Sequence, residues 1–270
     1  SPASGSGTSA RSAESQTALP ALCTAMPGAC RMSGESAETL IRETVLREPD
    51  PGYPCELFDA SKAFLARYKA LCAENGSHLI VLLSPNLTAH ALAEPGFLPY
   101  GESLMRYCRE NDIPCFNFQY AKAEYLQNLD GYYYDLYHMN GTGADLFSAF
   151  FARFFNAYTS GEDVSGWFYA DQAQYLASID RITNVWLNVG EGVYIADCNR
   201  GTLVTPQYRF VSVAADGTET TLLDDGESDT ISAALVPDGE TLRVYAVPKG
   251  QENAVSVWYD LSERSPRVES

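Results

Sequence analysis

The string Tyr132-Tyr133-Tyr134-Asp135-Leu136-Tyr137-His138-Met139-Asn140-Gly141-Thr142-Gly143-Ala144 places an acid and a histidine three apart, just ahead of an apolar helical pattern. A neutral imidazole can take a proton from a hydroxyl, and a carboxylate on its other nitrogen fixes the tautomer and stabilises the imidazolium. His138 is therefore read as a general base and Asp135 as its orienter. The competing reading of His138 is a loop histidine that caps a helix or bonds backbone. Ser84 and Asn86 follow a good strand pattern, so either could face the same cleft, although Ser-Pro-Asn ordinarily ends a strand and begins a turn. Asn140, Tyr134 and Tyr137 are assigned to that cleft as well. With Tyr120, Tyr132 and Tyr133 they place five phenols near the site, suited either to stacking on sugar faces or to core packing.

The stretch from Ser61 to the Asn75-Gly76 stop carries Phe64, Leu65, Tyr68 and Leu71 on one helical face. His78 to Leu83 is a continuous apolar run suited to a strand covered on both sides. Gly101 to Asn111 is read as a helix, Ile113 to Phe118 as a second strand, 129 to 142 as a loop, and Ala144 to Tyr158 as a closing helix whose aromatic stripe is core. Helix, strand, helix, strand predicts right-handed connections and a parallel sheet with ligands near the strands' C-terminal ends.

Asp135, His138, Asn140, Gly143 and Ala144 match, residue by residue, the D-x-x-H-x-N-x-x-G-A block that precedes the last helix of SGNH (GDSL-like) esterases and acyltransferases. From residue 51 to 160 the chain resembles the C-terminal half of that domain, and the bacterial relatives that act in cell-envelope acylation. The resemblance implies an α/β three-layer, flavodoxin-like parallel sheet, incomplete at its N-terminus. It also implies ester hydrolysis or O-acyl transfer on an acylated cell-envelope glycan or small ester, with no cofactor and no metal. The family's first block, which supplies a serine nucleophile and an oxyanion donor, has no good counterpart. Ser36, in Ser33-Gly34-Glu35-Ser36, is the nearest imitation, but no apolar strand precedes it. Either the first strands are missing or the chain is a degenerate relative; the low-complexity start favours the first. The alternative function is a noncatalytic surface or carbohydrate-binding protein on a degenerate hydrolase scaffold.

From Ile182 the rhythm becomes β-rich, with seven short runs separated by Gly190-Glu-Gly192, Asp216-Gly217, Asp238-Gly239 and Lys249-Gly250, the turn chemistry of an immunoglobulin-like sandwich. The domain reading is a flexible segment 1–34, an α/β domain 35–160, a connector 161–183, a sandwich 184–264 and a tail 265–270. Within 35–48, Leu40, Ile41, Val45 and Leu46 fit one face of a short helix.

A formal charge of −17 disfavours nucleic acid and anionic lipid as partners. No apolar run reaches the roughly 20 residues of a bilayer span. His90 and His78 read as surface residues. Seven dispersed cysteines do not form a zinc pattern. Cys23 and Cys30 could close a loop in an oxidising compartment, whereas Cys72 and Cys108 read as buried free thiols in helices. An extracellular or cell-surface bacterial location is expected from the resemblance.

Overall fold

The computed structural model of the chain describes residues 54–224, 226–251, 257–263 and 267–268. Ser36, Cys23, Cys30, the low-complexity start and the helix expected at 35–48 lie outside these. Helix α1 (Asp59–Glu74) starts two residues ahead of Ser61, with Asp59 in its first turn, where a carboxylate is favoured by the helix dipole. It ends at Asn75, whose side-chain amide donates to the Leu71 carbonyl at 2.8 Å. An apolar stripe on a helix face ordinarily packs on a core. Instead the helix buries none of its residues, and Phe64 and Leu71 stay 62% and 53% exposed.

Strands β1 (Val81–Leu83) and β2 (Cys115–Asn117) pair in parallel, with Val81 opposite Cys115 and Leu83 opposite Asn117. The run from His78 is longer than the strand because β2 offers ladder partners only to Val81, Leu82 and Leu83. Leu82 is 41% exposed, so cover on both faces, as the apolar run implied, is not what it has. Between the strands come α2 (Thr88–Ala93), in a stretch to which the sequence reading assigned no element, and α3 (Phe97–Glu110). Helix α3 begins a turn earlier than Gly101, since Pro99 falls in its first turn, where a missing N–H costs nothing. Gly101 instead lies against the sheet: a Cβ there would meet the Asn117 amide at 3.4 Å and Leu83 at 3.6 Å.

The last helix of this part, α4 (Gly141–Thr159), buries Phe150, Phe154 and Ala157, which recur at helical spacing on one face. They pack on Phe118 and Leu126 in one core. Phe154 is its centre, 1% exposed, with ring centroids 4.8 Å from Phe116 and 5.1 Å from Phe118 in edge-to-face geometry. Such pairs add about 0.5–1.5 kcal/mol beyond area burial. A connector with the short helix α5 (Gln172–Ser178) follows.

Among the described residues eight strands come next: β3 (Ile182–Gly190), β4 (Val193–Arg200), β5 (Pro206–Val213), β6 (Glu219–Leu223), β7 (Thr230–Ser232), β8 (Thr241–Pro248), β9 (Val257–Asp260) and β10 (Arg267–Val268). They form two four-stranded sheets, ordered β10-β3-β4-β7 and β6-β5-β8-β9. All pairs are antiparallel except β10 with β3. Strand β8 shows the two-residue period plainly: Leu242, Val244 and Ala246 are buried, and Arg243 and Tyr245 between them are half-exposed. Val185 and Leu187 from one sheet and Phe210, Leu242 and Val244 from the other share one core. The β5–β6 turn needs Gly217, at φ +85, with the Asp216 carboxylate accepting the Thr218 N–H at 2.9 Å. Among the described residues no helix is long and apolar enough to cross a membrane.

Truncating Phe154 should leave a void that its ring partners cannot close. Phe154→Ala should lower unfolding free energy by about 3–5 kcal/mol, with Phe154→Leu retaining most of the lost stability. Urea denaturation followed by circular dichroism measures both; an unchanged midpoint for the alanine variant would contradict this core.

Candidate functional site

The loop carrying Asp135 and His138 is fastened at both ends. Tyr133 and Met139 form an isolated antiparallel bridge, and the Tyr134 N–H donates to the His138 carbonyl at 2.8 Å. Asp135 sits inside this narrow hairpin. Its Oδ1 accepts the backbone N–H of Tyr137 at 2.8 Å and of His138 at 2.7 Å. The same carboxylate reaches His138 Nδ1, at 3.0 Å from Oδ1 and 2.9 Å from Oδ2. One carboxylate therefore holds both the backbone and the ring of the histidine. A carboxylate at Nδ1 favours the tautomer with the proton there, leaving Nε2 as the basic nitrogen. The His138 side chain is 74% exposed and that of Asp135 38%.

Asn140 was assigned to the cleft; its contacts make it the clamp of the loop. Its Oδ1 accepts the Gly143 N–H at 3.0 Å, capping α4, and its Nδ2 donates to the carbonyls of Gly131 at 2.8 Å and Tyr133 at 3.3 Å. Its own N–H donates to the Tyr132 carbonyl at 2.9 Å. Gly143 is needed for a steric reason, because a Cβ there would lie 2.2 Å from the Tyr132 carbonyl oxygen. The Asn-x-x-Gly spacing is thus a helix cap and a close backbone approach.

Beneath the loop runs a chain of polar side chains that sequence spacing could not reveal. Tyr133, 1% exposed, donates its hydroxyl to Asn128 Oδ1 at 2.6 Å. Asn128 Nδ2 donates to the Asn86 carbonyl at 3.0 Å, and the Asn86 N–H donates to Gln119 Oε1 at 2.7 Å. Gln119 Nε2 reaches the Tyr175 hydroxyl at 2.6 Å. Burial pushes the Tyr133 and Tyr175 phenols up, so both stay neutral. Nearby, Arg181 pairs with Asp130 at 3.0 Å; burial raises that carboxyl, and the guanidinium opposes the shift.

Ser84 and Asn86 line a cleft of about 250 Å³ with Phe97, Leu98, Gly101 and Asn117. None of Asp135, His138, Tyr134 and Tyr137 lines it. His90 is a correction to the surface reading: it is 4% exposed, with its ring centroid 4.8 Å from Tyr137 and 5.8 Å from Phe97. Its apolar neighbours, Leu87 at the cap of α2 and Ala89 and Ala91 within it, are the signal that could have marked it as buried. His78 is exposed. Of the five tyrosines, Tyr120 and Tyr133 are fully buried and belong to the scaffold, as core packing rather than sugar platforms. Tyr132 and Tyr134 are half-buried, and Tyr137 is 47% exposed beside His138. Among the described residues, the His138 ring is hydrogen-bonded to Asp135 and to no hydroxyl or thiol.

Comparison with protein-family models, with curated proteins and with solved structures gives no match.

Loss of the clamp should loosen the pair without touching either member. Asn140→Ala should cost about 1–2 kcal/mol and broaden or shift the His138 imidazole resonances in a proton–nitrogen spectrum. Asn140→Asp keeps the cap acceptor and should cost less. Imidazole resonances identical to wild type in Asn140→Ala would rule out the clamp role.

Proposed function

We propose that this chain acts on acyl esters, as an SGNH-type esterase or O-acyltransferase whose substrate is an acylated cell-envelope glycan or a small ester. The carrying observation is the pairing of His138 Nδ1 with the Asp135 carboxylate at 2.9 Å, on a ring whose side chain remains 74% exposed. That arrangement supports His138 as general base through Nε2 and Asp135 as the residue that positions it and stabilises the imidazolium. His138 would take the proton from a hydroxyl as that oxygen attacks the acyl carbon, and return it to the departing alkoxide. The hydroxyl comes from a serine, Ser36 outside the described residues or Ser84 within them, or from the acceptor itself. Ser84, at the head of its own cleft, is the described serine to test first. An extracellular or cell-surface location, on the bacterial envelope, belongs to the same proposal.

A second reading has a specific observation in its favour. The exposed Tyr137, next to a histidine that no described hydroxyl or thiol reaches, suits a noncatalytic carbohydrate-binding surface on a hydrolase-like scaffold.

The two separate by acetate release from an O-acetylated envelope glycan. His138→Ala should lower the rate by about 10²–10⁴-fold, and Asp135→Asn, which leaves the ring in place but removes the carboxylate, by a comparable factor. A fluorophosphonate probe followed by peptide mapping should label one serine, and substituting that serine should abolish release. If glycan binds equally to wild type and His138→Ala while neither releases acetate, the noncatalytic reading replaces the enzymatic one.

A further inference from the structure

Asn117, in the wall of the cleft that Ser84 and Asn86 line, carries a donor that no group among the described residues accepts. Leu83 closes β1 and Asn117 closes β2, opposite each other in the ladder. The cleft therefore lies at the strands' C-terminal ends, where parallel sheets receive ligands. Asn117 is 5% exposed. Its Oδ1 accepts the Gln119 N–H at 3.1 Å; a backbone N–H can only donate, so the oxygen is fixed on that side and Nδ2 on the other. Gln119 is held in turn, because its Oε1 accepts the Asn86 N–H at 2.7 Å. The amide cannot turn away without losing a buried hydrogen bond. Its Nδ2 lies on the side of Gly101, which also lines the cleft: a Cβ at 101 would stand 3.4 Å from that nitrogen. Glycine at this position of α3 leaves the donor uncovered.

We propose that this cleft binds a neutral N-acyl group, the acetamido of a sugar or the acylated end of a peptide, whose carbonyl oxygen accepts from Asn117 Nδ2. The rest of the lining suits such a group. Leu83, Leu98 and Phe97 supply apolar surface for the acyl methyl, and the Ser84 hydroxyl can accept the ligand's N–H. Among the described residues no carboxylate, ammonium or guanidinium lines the cleft. An ion entering it would shed water with no countercharge to meet it, whereas a neutral amide sheds less and recovers both of its hydrogen bonds. A volume of about 250 Å³ takes the acyl group and leaves the body that carries it at the exposed Ser84 end. The inference does not rest on the acyl-ester reading, because neither Asp135 nor His138 lines this cleft and binding here needs no turnover.

The test is a proton–nitrogen titration of the full-length chain that follows the Asn117 side-chain amide. The probes are methyl N-acetylglucosaminide, N-acetylalanine methylamide and methyl glucoside, which lacks the acyl group. At least one acyl probe should shift the Asn117 resonances to saturation while the glucoside leaves them in place, and which acyl probe does so separates a sugar from a peptide source. Gly101→Ala sets a methyl over Nδ2 at ordinary contact distance, 3.6 Å from Leu83, and alanine favours the helix. That variant should fold and bind about tenfold or more weakly, since the donor loses its acceptor. Asn117→Asp keeps the acceptor for Gln119 and removes the donor, so its binding should be lost. Unmoved Asn117 resonances with both acyl probes would overturn the inference, as would glucoside binding as tight as theirs or wild-type affinity in Gly101→Ala. The glycine variant decides this even where Asn117→Asp fails to fold.

Discussion

The Asn140 amide is the joint on which the site depends. Its oxygen caps α4 at Gly143, and its nitrogen gathers the carbonyls of Gly131 and Tyr133. A helix N-terminus has N–H groups without intrahelical partners, and a loop bent back on itself has carbonyls in the same condition. One planar amide satisfies both sets. It thereby ties the direction of a packed aromatic helix to the hairpin bearing Asp135 and His138. The 2.2 Å approach of a hypothetical Gly143 Cβ to the Tyr132 carbonyl shows how little room this joint leaves.

Much of what is local in this arrangement was legible in the sequence. Asp135 and His138 are three apart, Asn140 and Gly143 are three apart, and the α4 stripe repeats at helical spacing; such relations are written within one turn of chain. The β-rich half was legible for the same reason, since alternation in Thr241–Pro248 and turn pairs such as Asp216-Gly217 are local signals. What could not be read are contacts between distant segments. Nothing in the spacing announces that Tyr133, Asn128, Asn86, Gln119 and Tyr175 form one polar chain. The error at His90 is different in kind: its apolar neighbours Leu87, Ala89 and Ala91 were a local sign of burial, and only the rings of Tyr137 and Phe97 that complete its cover come from outside its own short helix. Helix α1 shows the converse: Phe64, Tyr68 and Leu71 have the helical spacing that marked it as a helix, but spacing carries no information about whether a partner surface exists.

The polar chain beneath the loop and the Asp135–His138 pair above it obey different electrostatics. Below, Tyr133 and Gln119 are almost fully buried, where an unpaired polar group would cost about 1–3 kcal/mol. Each therefore has a partner, and the chain joins the 84–86 segment to the base of the histidine loop. Movement at the cleft mouth near Asn86 is thus constrained by hydrogen bonds that end at the hairpin, although Ser84 and His138 share no contact.

Above, the His138 ring stands largely in water, where an exposed ion pair contributes roughly 0–1 kcal/mol. So weak an attraction cannot by itself hold an imidazole in one orientation. The backbone N–H groups of Tyr137 and His138 on Asp135 Oδ1 do much of that work, because they fix the carboxylate before the ring arrives. The same exposure sets a requirement on any reaction run here. A base in water competes with solvent for its proton, and transition-state charge is screened, so the pair gains strength only once a bound partner displaces water from around it. A large glycan lying across Tyr137 would cover the ring as a small ester would not. Under the proposed acyl chemistry, an extended substrate that covers the ring would meet this requirement better than a small one, for a reason that lies in the dielectric around His138 rather than in the identity of the pair.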